Sequence, residues 1–112
     1  ADTNVEYQFG KIDNKEEINK ILISYIEKHF SISDDKQTWF DKMKDLAEEY
    51  GYAREVKEYK QNPENYKGHV GDISTVIRVA LTGRQNTPDL YEIMQVLGEN
   101  SIRERIEKVI GK

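Results

Sequence analysis

Apolar side chains recur every three or four residues in five successive stretches of the chain, and this periodicity restricts the fold more than any other feature. Such spacing places the side chains along one face of an α-helix. The first stretch follows Asp13 and Glu16, which have the form of a capping box. Its apolar residues are Ile18, Ile21, Leu22, Tyr25, Ile26 and Phe30. Five to six helices joined by short loops predict an all-α fold, a compact helical bundle or cage.

Turn-forming residues separate the later stretches. Ser33 is the expected N-cap of a second helix, which Gly51 ends in the left-handed conformation. We expect residues 52–71 to form an ordered loop, because Pro63 disfavours helical geometry at the residue before it. Residues 72–81 are rich in β-branched side chains that also suit a strand, but their spacing predicts a helix.

Two further helix starts are predicted from the C-terminal part of the chain. Gly83 ends the preceding helix, and Thr87 with Pro88 predicts an N-cap followed by a proline at the first helical position. Ser101 and Glu104 have the form of another capping box, which predicts a final amphipathic helix.

Composition excludes several classes of protein. The 112 residues suffice for one hydrophobic core, and the absence of cysteine excludes disulfides, thiolate metal sites and cysteine nucleophiles. No apolar run reaches the roughly 18 residues of a membrane span, and residues 1–4 carry no signal-like segment, so we expect a cytoplasmic setting without a membrane partner. His29 and His69 belong to no metal-binding or catalytic motif, and we assign neither kind of site.

Charge is distributed unevenly along the chain. The net charge of −4 does not favour nucleic-acid binding over the whole surface, since phosphates are neutralised by cations. Residues 1–60 carry 10 basic and 14 acidic side chains, whereas residues 61–112 carry seven of each. Four of the five arginines lie in the second part, so a local arginine surface is compatible with RNA binding.

One segment has features that a purely structural role does not require. It is a short polar loop between two helices, flanked by Arg78 and Arg84. Both arginines are able to contact phosphates, and we expect free backbone N–H groups at the start of the next helix, around residues 89–91. A mixed surface for a flat ring would come from Thr87, Pro88 and Leu90. The alternative is an ordinary capped junction whose arginines pair with neighbouring carboxylates.

The order of residues here resembles a known family. The pattern R-x-A-L-T-G at 78–83, then T-P-x-L-[FY]-E at 87–92 and a basic terminal helix, is similar to the C-terminal anticodon-binding domain of bacterial glutamyl-tRNA synthetases. The resemblance is strong over 71–112 and looser over 36–60. Family members commonly have Pro-Leu where this chain has Val76-Ile77, and no position matches the family's reader of the third anticodon base.

The resemblance implies a fragment of a class I glutamate–tRNA ligase whose catalytic domain uses ATP and Mg²⁺. The HIGH-like and KMSKS-like motifs of that domain are absent, so we expect no catalytic residue, metal or cofactor in this fragment. In the family, the arginine matching Arg78 contacts the anticodon backbone. The T-P-x-L turn meets the first two anticodon bases, which assigns these contacts to Thr87, Pro88 and Leu90. The implied partners are the anticodon loop of tRNA and the catalytic domain of a monomeric parent chain.

Three features of the sequence allow more than one interpretation. We divide the chain into residues 1–35, an N-terminal helical part that could end a preceding subdomain, and residues 36–112, the anticodon-binding domain. The alternative function is a helical protein-interaction module that does not bind RNA, with a contact face of Trp39, Phe40 and Tyr50. Three cations of the last helix either lie at the edge of the RNA surface or form surface ion pairs: Arg103, Arg105 and Lys108.

Overall fold

The computed structural model describes residues 8–111, and six α-helices account for most of them. They are α1 (Lys15–Ser24), α2 (Lys36–Glu49), α3 (Val56–Gln61), α4 (Val70–Thr82), α5 (Leu90–Leu97) and α6 (Glu99–Ile110). The all-α prediction is confirmed. None of these helices is long and apolar enough to cross a membrane. The expectations for residues 1–7, including the signal-free N-terminus, and for residue 112 lie outside the described residues.

The first helix begins at a different cap from the one predicted. Asn14, not Asp13, is the N-cap, because its side-chain oxygen accepts a hydrogen bond from the backbone N–H of Glu17 at 2.9 Å. After α1 the chain widens into one π-helical turn over Tyr25–His29. This turn brings the ring of Phe30 back towards the core, 5.9 Å from the ring of Tyr25.

The second helix is likewise capped later than predicted. Asp35, not Ser33, is its N-cap and accepts a hydrogen bond from the N–H of Thr38 at 2.8 Å. The end of the helix is as predicted, since Gly51 has φ +88°.

Residues 52–71 contain more regular structure than the predicted loop. A single parallel bridge joins Ala53 to His69, and α3 lies between these two residues. His69 then serves as the N-cap of α4: its Nδ1 accepts from Gly71 N–H at 2.9 Å, and its own N–H donates to the Asp72 carboxylate at 3.0 Å. Helix α4 therefore starts two residues earlier than predicted.

Both later helix starts also differ from the prediction. Asp89, with φ −43° and ψ 117°, is the N-cap of α5, so Thr87 and Pro88 lie in the loop before the helix. Gly98, with φ +82°, ends α5 and directly precedes α6. Ser101 consequently lies inside α6, and the capping box predicted there is wrong.

Helix α4 is the centre of the bundle. Seven of its 13 residues are buried, and it packs against α1, α2 and α6, while α5 packs against α6. The radius of gyration of 13.6 Å agrees with the roughly 13 Å expected for a compact domain of this length. Buried residues from α1 and α2 belong to one core. The division into residues 1–35 and 36–112 stays a prediction.

Candidate nucleic-acid interface

A glycine turn joins α4 to an exposed loop and sets the geometry of the candidate site. Gly83 caps α4 with φ +76°, a conformation that glycine adopts without steric cost. The hydroxyl of Thr82 donates to the carbonyl of Arg78 at 2.8 Å and accepts from the N–H of Arg84 at 3.1 Å. These bonds fix the direction in which the chain leaves α4.

The guanidinium groups of Arg78 and Arg84 form no hydrogen bond or ion pair with any residue in the range 8–111. Arg78 is half-buried, and its Nε atom is fully buried without a partner. Burying a charged donor in this way is costly unless a partner compensates it. The other three arginines of the described chain are all bonded within the domain, so the alternative of an ordinary paired junction does not describe this pair.

Those three arginines have structural roles. Arg54 pairs with two carboxylates, at 2.6 and 3.1 Å, and Arg103 pairs with Glu99 at 3.0 Å. Arg105 donates to the carbonyl of Leu81 at 2.8 Å, at the C-terminus of α4, where a cation is favoured by the helix dipole. Internal bonding therefore accounts for Arg103 and Arg105, two of the three cations for which the sequence left an RNA border and surface ion pairing as alternatives.

The loop residues singled out by sequence differ in accessibility. Pro88 is exposed and Thr87 is half-buried, with its hydroxyl bonded to the carbonyl of Pro88 at 2.8 Å. Leu90 is only 2% exposed, because it is the first helical residue of α5 and points into the core. The side chain of Leu90 therefore packs mainly in the core, whereas Thr87 and Pro88 are accessible at the surface of the loop.

The N-terminus of α5 is occupied by the chain's own carboxylate. Asp89 accepts from the N–H of Tyr91 at 3.0 Å and also binds the ammonium of Lys36 on α2. The hydrogen bond from Lys36 lowers the pKa of Asp89. The expectation of free N–H groups at residues 89–91 is therefore wrong at Tyr91, and the negative charge of Asp89 is compensated at the site.

A groove of about 600 Å³ lies between α2, α4 and the start of α5. Its lining residues include Lys36, Trp39, Phe40, Arg78, Asp89 and Leu90. Of the residues assigned from sequence, Arg78 and Leu90 thus line the groove, whereas Arg84, Thr87 and Pro88 do not. Lys36 was not expected at the site from the sequence, and Phe40 was not expected beside Arg78. No sequence signal could have done so, because Arg78 on α4 comes within one groove of these α2 residues only when α2 packs on α4.

Fold and site together define a small all-helical domain with an arginine-containing groove beside a helix junction. Residues 56–110 match the family model of the anticodon binding domain. This part of the chain belongs to that family, and the similarity to glutamyl-tRNA synthetases predicted from the 78–92 pattern is confirmed.

The similar proteins are bacterial ligases. The chain is 52% identical to the glutamate–tRNA ligase of Acetivibrio thermocellus over 87% of its own length and 18% of the relative's. It is 46% identical to that of Clostridium perfringens strain SM101 over 98% of its length and 20% of the relative's. With the ligase of Sorangium cellulosum the identity is 51% over 72% of this chain and 14% of the relative. The chain thus spans about a fifth or less of these curated relatives. No solved structure matches it.

Within 8–111, no three His, Asp or Glu side chains converge as ligands for an ion.

Proposed function

We propose that this chain recognises the anticodon loop of a tRNA as one domain of a glutamate–tRNA ligase. The observation that carries the proposal is the pair of guanidinium groups of Arg78 and Arg84, on either side of the Gly83 turn, which form no bond with any residue of 8–111. Unpaired loops of RNA expose phosphates and unstacked bases, and such loops are the usual targets of sequence-specific RNA recognition. The family match over residues 56–110 supports the same assignment.

In this proposal the residues of the site have different roles. Arg78 and Arg84 bind backbone phosphates, and Thr87 with Pro88 forms the surface that meets a base. Leu90 holds this turn in place from the core, since its side chain is 2% exposed. Lys36 compensates Asp89 and so prevents that carboxylate from repelling phosphate.

The parent protein in this proposal is a larger enzyme. By resemblance to the ligases, it joins glutamate to tRNA with ATP and Mg²⁺ in a separate catalytic domain, acts in the cytoplasm and is a monomer. The described residues would contribute to tRNA binding alone.

A protein-interaction module is less well supported. The face proposed for it is divided, because Trp39 donates its indole N–H to Tyr25 Oη at 3.2 Å and Tyr50 donates its hydroxyl to the carbonyl of Lys20 at 3.0 Å. Both rings are half-buried, and only Phe40 of the three is exposed.

Titration of the chain with a fluorescent anticodon stem–loop at several salt concentrations tests the proposal. We expect Arg78→Ala to weaken binding several-fold and to reduce the slope of log K against log salt by about 0.7, the value for one phosphate contact on a single strand. Arg54→Ala is the matched control, because it removes the same charge from a surface ion pair on another part of the domain. Thermal unfolding followed by circular dichroism verifies that each variant folds.

Two results would contradict the proposal. One is equal affinity of the wild-type chain for the cognate stem–loop and for a stem–loop with altered loop bases. The other is an affinity of Arg78→Ala equal to that of Arg54→Ala at every salt concentration.

A further inference from the structure

Phe40 is an exposed aromatic residue at the wall of the groove. Its side chain is 39% exposed, although it follows the half-buried Trp39 on α2. The Trp39 ring lies nearly parallel to it at a centroid distance of 6.4 Å, and the Lys44 ammonium lies 4.8 Å from its centroid. The Phe40 ring therefore contacts Trp39 and Lys44 while part of it stays open to solvent.

The polar groups of the groove are arranged for an anionic ligand with a flat apolar part. Asp89 is paired with Lys36, whereas the Nε of Arg78 is buried and has no partner within residues 8–111. An unsatisfied cationic donor beside an aromatic wall matches a nucleotide, which carries a phosphate next to a ring. Proteins that bind single-stranded RNA combine these two elements, a cation for the backbone and an aromatic side chain for the base.

The volume of the groove is consistent with a bound nucleotide. A volume of about 600 Å³ lies within the range of pockets that hold small-molecule-sized groups, about 300–1,000 Å³. An apolar peptide side chain would fill the aromatic part but would leave the Arg78 guanidinium without a partner. Charge complementarity therefore favours a nucleotide.

We propose that the groove between α2 and α4 accepts one unpaired nucleobase of the bound RNA, which stacks against Phe40 while Arg78 binds the adjoining phosphate. This inference rests on the proposed RNA-binding function. It adds a base-stacking residue on α2, a helix outside the loop pattern that relates the chain to its family.

Anticodon stem–loops that carry 2-aminopurine at a single loop position test the stacking. Stacking quenches the fluorescence of this base, so we expect quenching at one loop position when the full chain binds. Phe40→Ala should remove the quenching and weaken binding by about 5- to 30-fold, the lower part of the range for loss of one stacked base. Phe40→Leu retains an apolar side chain beside Trp39 and guards against a folding defect, and it should also remove the quenching.

Val56→Ala is the matched control, because Val56 on α3 has the same 39% exposure and does not line the groove. We expect it to bind and quench as the wild-type chain does. Wild-type quenching and affinity in both Phe40 variants, or an equal loss in Val56→Ala, would overturn the stacking while leaving the RNA-binding function in place. Failure of the wild-type chain to bind any stem–loop would overturn the RNA-binding function itself.

Discussion

Replacing Glu49 by glutamine removes the charge that fastens the π-helical turn to the end of α2. The Glu49 carboxylate accepts hydrogen bonds from Lys28 Nζ at 2.8 Å, His29 Nε2 at 3.1 Å and Ser24 Oγ at 3.0 Å. The bond from Lys28, with further contributions from His29 and Ser24, lowers the pKa of Glu49 from 4.5 to about 2. The folded state therefore prefers the ionised carboxylate.

The loss of stability expected for Glu49→Gln follows from the difference between the folded and unfolded pKa of Glu49. A fall from 4.5 to about 2 corresponds to an upper limit of about 3.4 kcal/mol, at 1.36 kcal/mol per tenfold change. Water screens the main contact, because the Lys28 side chain is 62% exposed, and measured ion pairs of this kind contribute less. Glutamine keeps the shape and one acceptor oxygen. We therefore expect Glu49→Gln to lower the free energy of unfolding by about 1–2 kcal/mol at neutral pH.

The stabilisation by Glu49 decreases as the pH falls. The contribution of Glu49 is fully present above its unfolded pKa of 4.5 and is lost as the pH falls through the folded value of about 2. The stability difference between wild type and Glu49→Gln, measured by urea unfolding followed by circular dichroism, should shrink between about pH 5 and pH 2. Glu104→Gln is the control, since Glu104 is exposed and forms no ion pair within the described residues. A difference that stays constant over this range, or an equal loss in the control, refutes the reasoning.

Three further substitutions are checked by the same unfolding measurement. Arg105→Met removes the hydrogen bond to the Leu81 carbonyl and should lower the free energy of unfolding by about 0.5–1.5 kcal/mol; an unchanged midpoint would contradict the capping role. Gly83→Ala meets no atom within 4 Å of the new Cβ, so its expected cost of about 1–2 kcal/mol comes from φ alone, and Gly83→Asn should cost less. Trp39→Phe removes the N–H donor to Tyr25 and should cost about 1 kcal/mol; full stability would show that this bond contributes nothing.

The helical core could be predicted because its signal is local. Met43, Leu46 and Ala47 are all buried, as the spacing of three and four on α2 requires. Gly51 and Gly83 both adopt positive φ at the ends where sequence placed them, since few other residues tolerate that conformation. Each of these predictions depends on residues within one or two helical turns.

Helix starts were predicted less well because neighbouring side chains compete for the same role. Asp13 and Asn14 are both able to cap α1, and Thr87 and Asp89 are both able to cap α5. The structure selects Asp89, which also pairs with Lys36, 53 positions earlier in the chain. A contact of this kind depends on how α2 and α5 pack, so the local sequence did not reveal it.

The candidate site was predictable in part for a similar reason. Arg78 and Arg84 were identified from a pattern within one segment, whereas the buried state of Leu90 and the exposed state of Phe40 depend on how the helices are placed against one another. Phe40 lies at the edge of the apolar stripe of α2, where periodicity does not separate core from surface.

The negative net charge of the chain is compatible with the proposed RNA-binding site because several other cations are paired with carboxylates of the domain. Lys28, Lys67 and Arg103 each lie within 3.0 Å of a carboxylate in the described part of the chain, and such pairs contribute little field at a distance. Arg78 and Arg84 have no carboxylate partner within residues 8–111, so their charges stay available at the junction of α4 and α5. Since charges separated by more than about 10 Å are largely screened at 0.1 M salt, the net charge affects the rate of encounter more than the contacts in the groove. Binding should therefore depend on a few short-range contacts, and its salt dependence should count those contacts and not the formal charge of the chain.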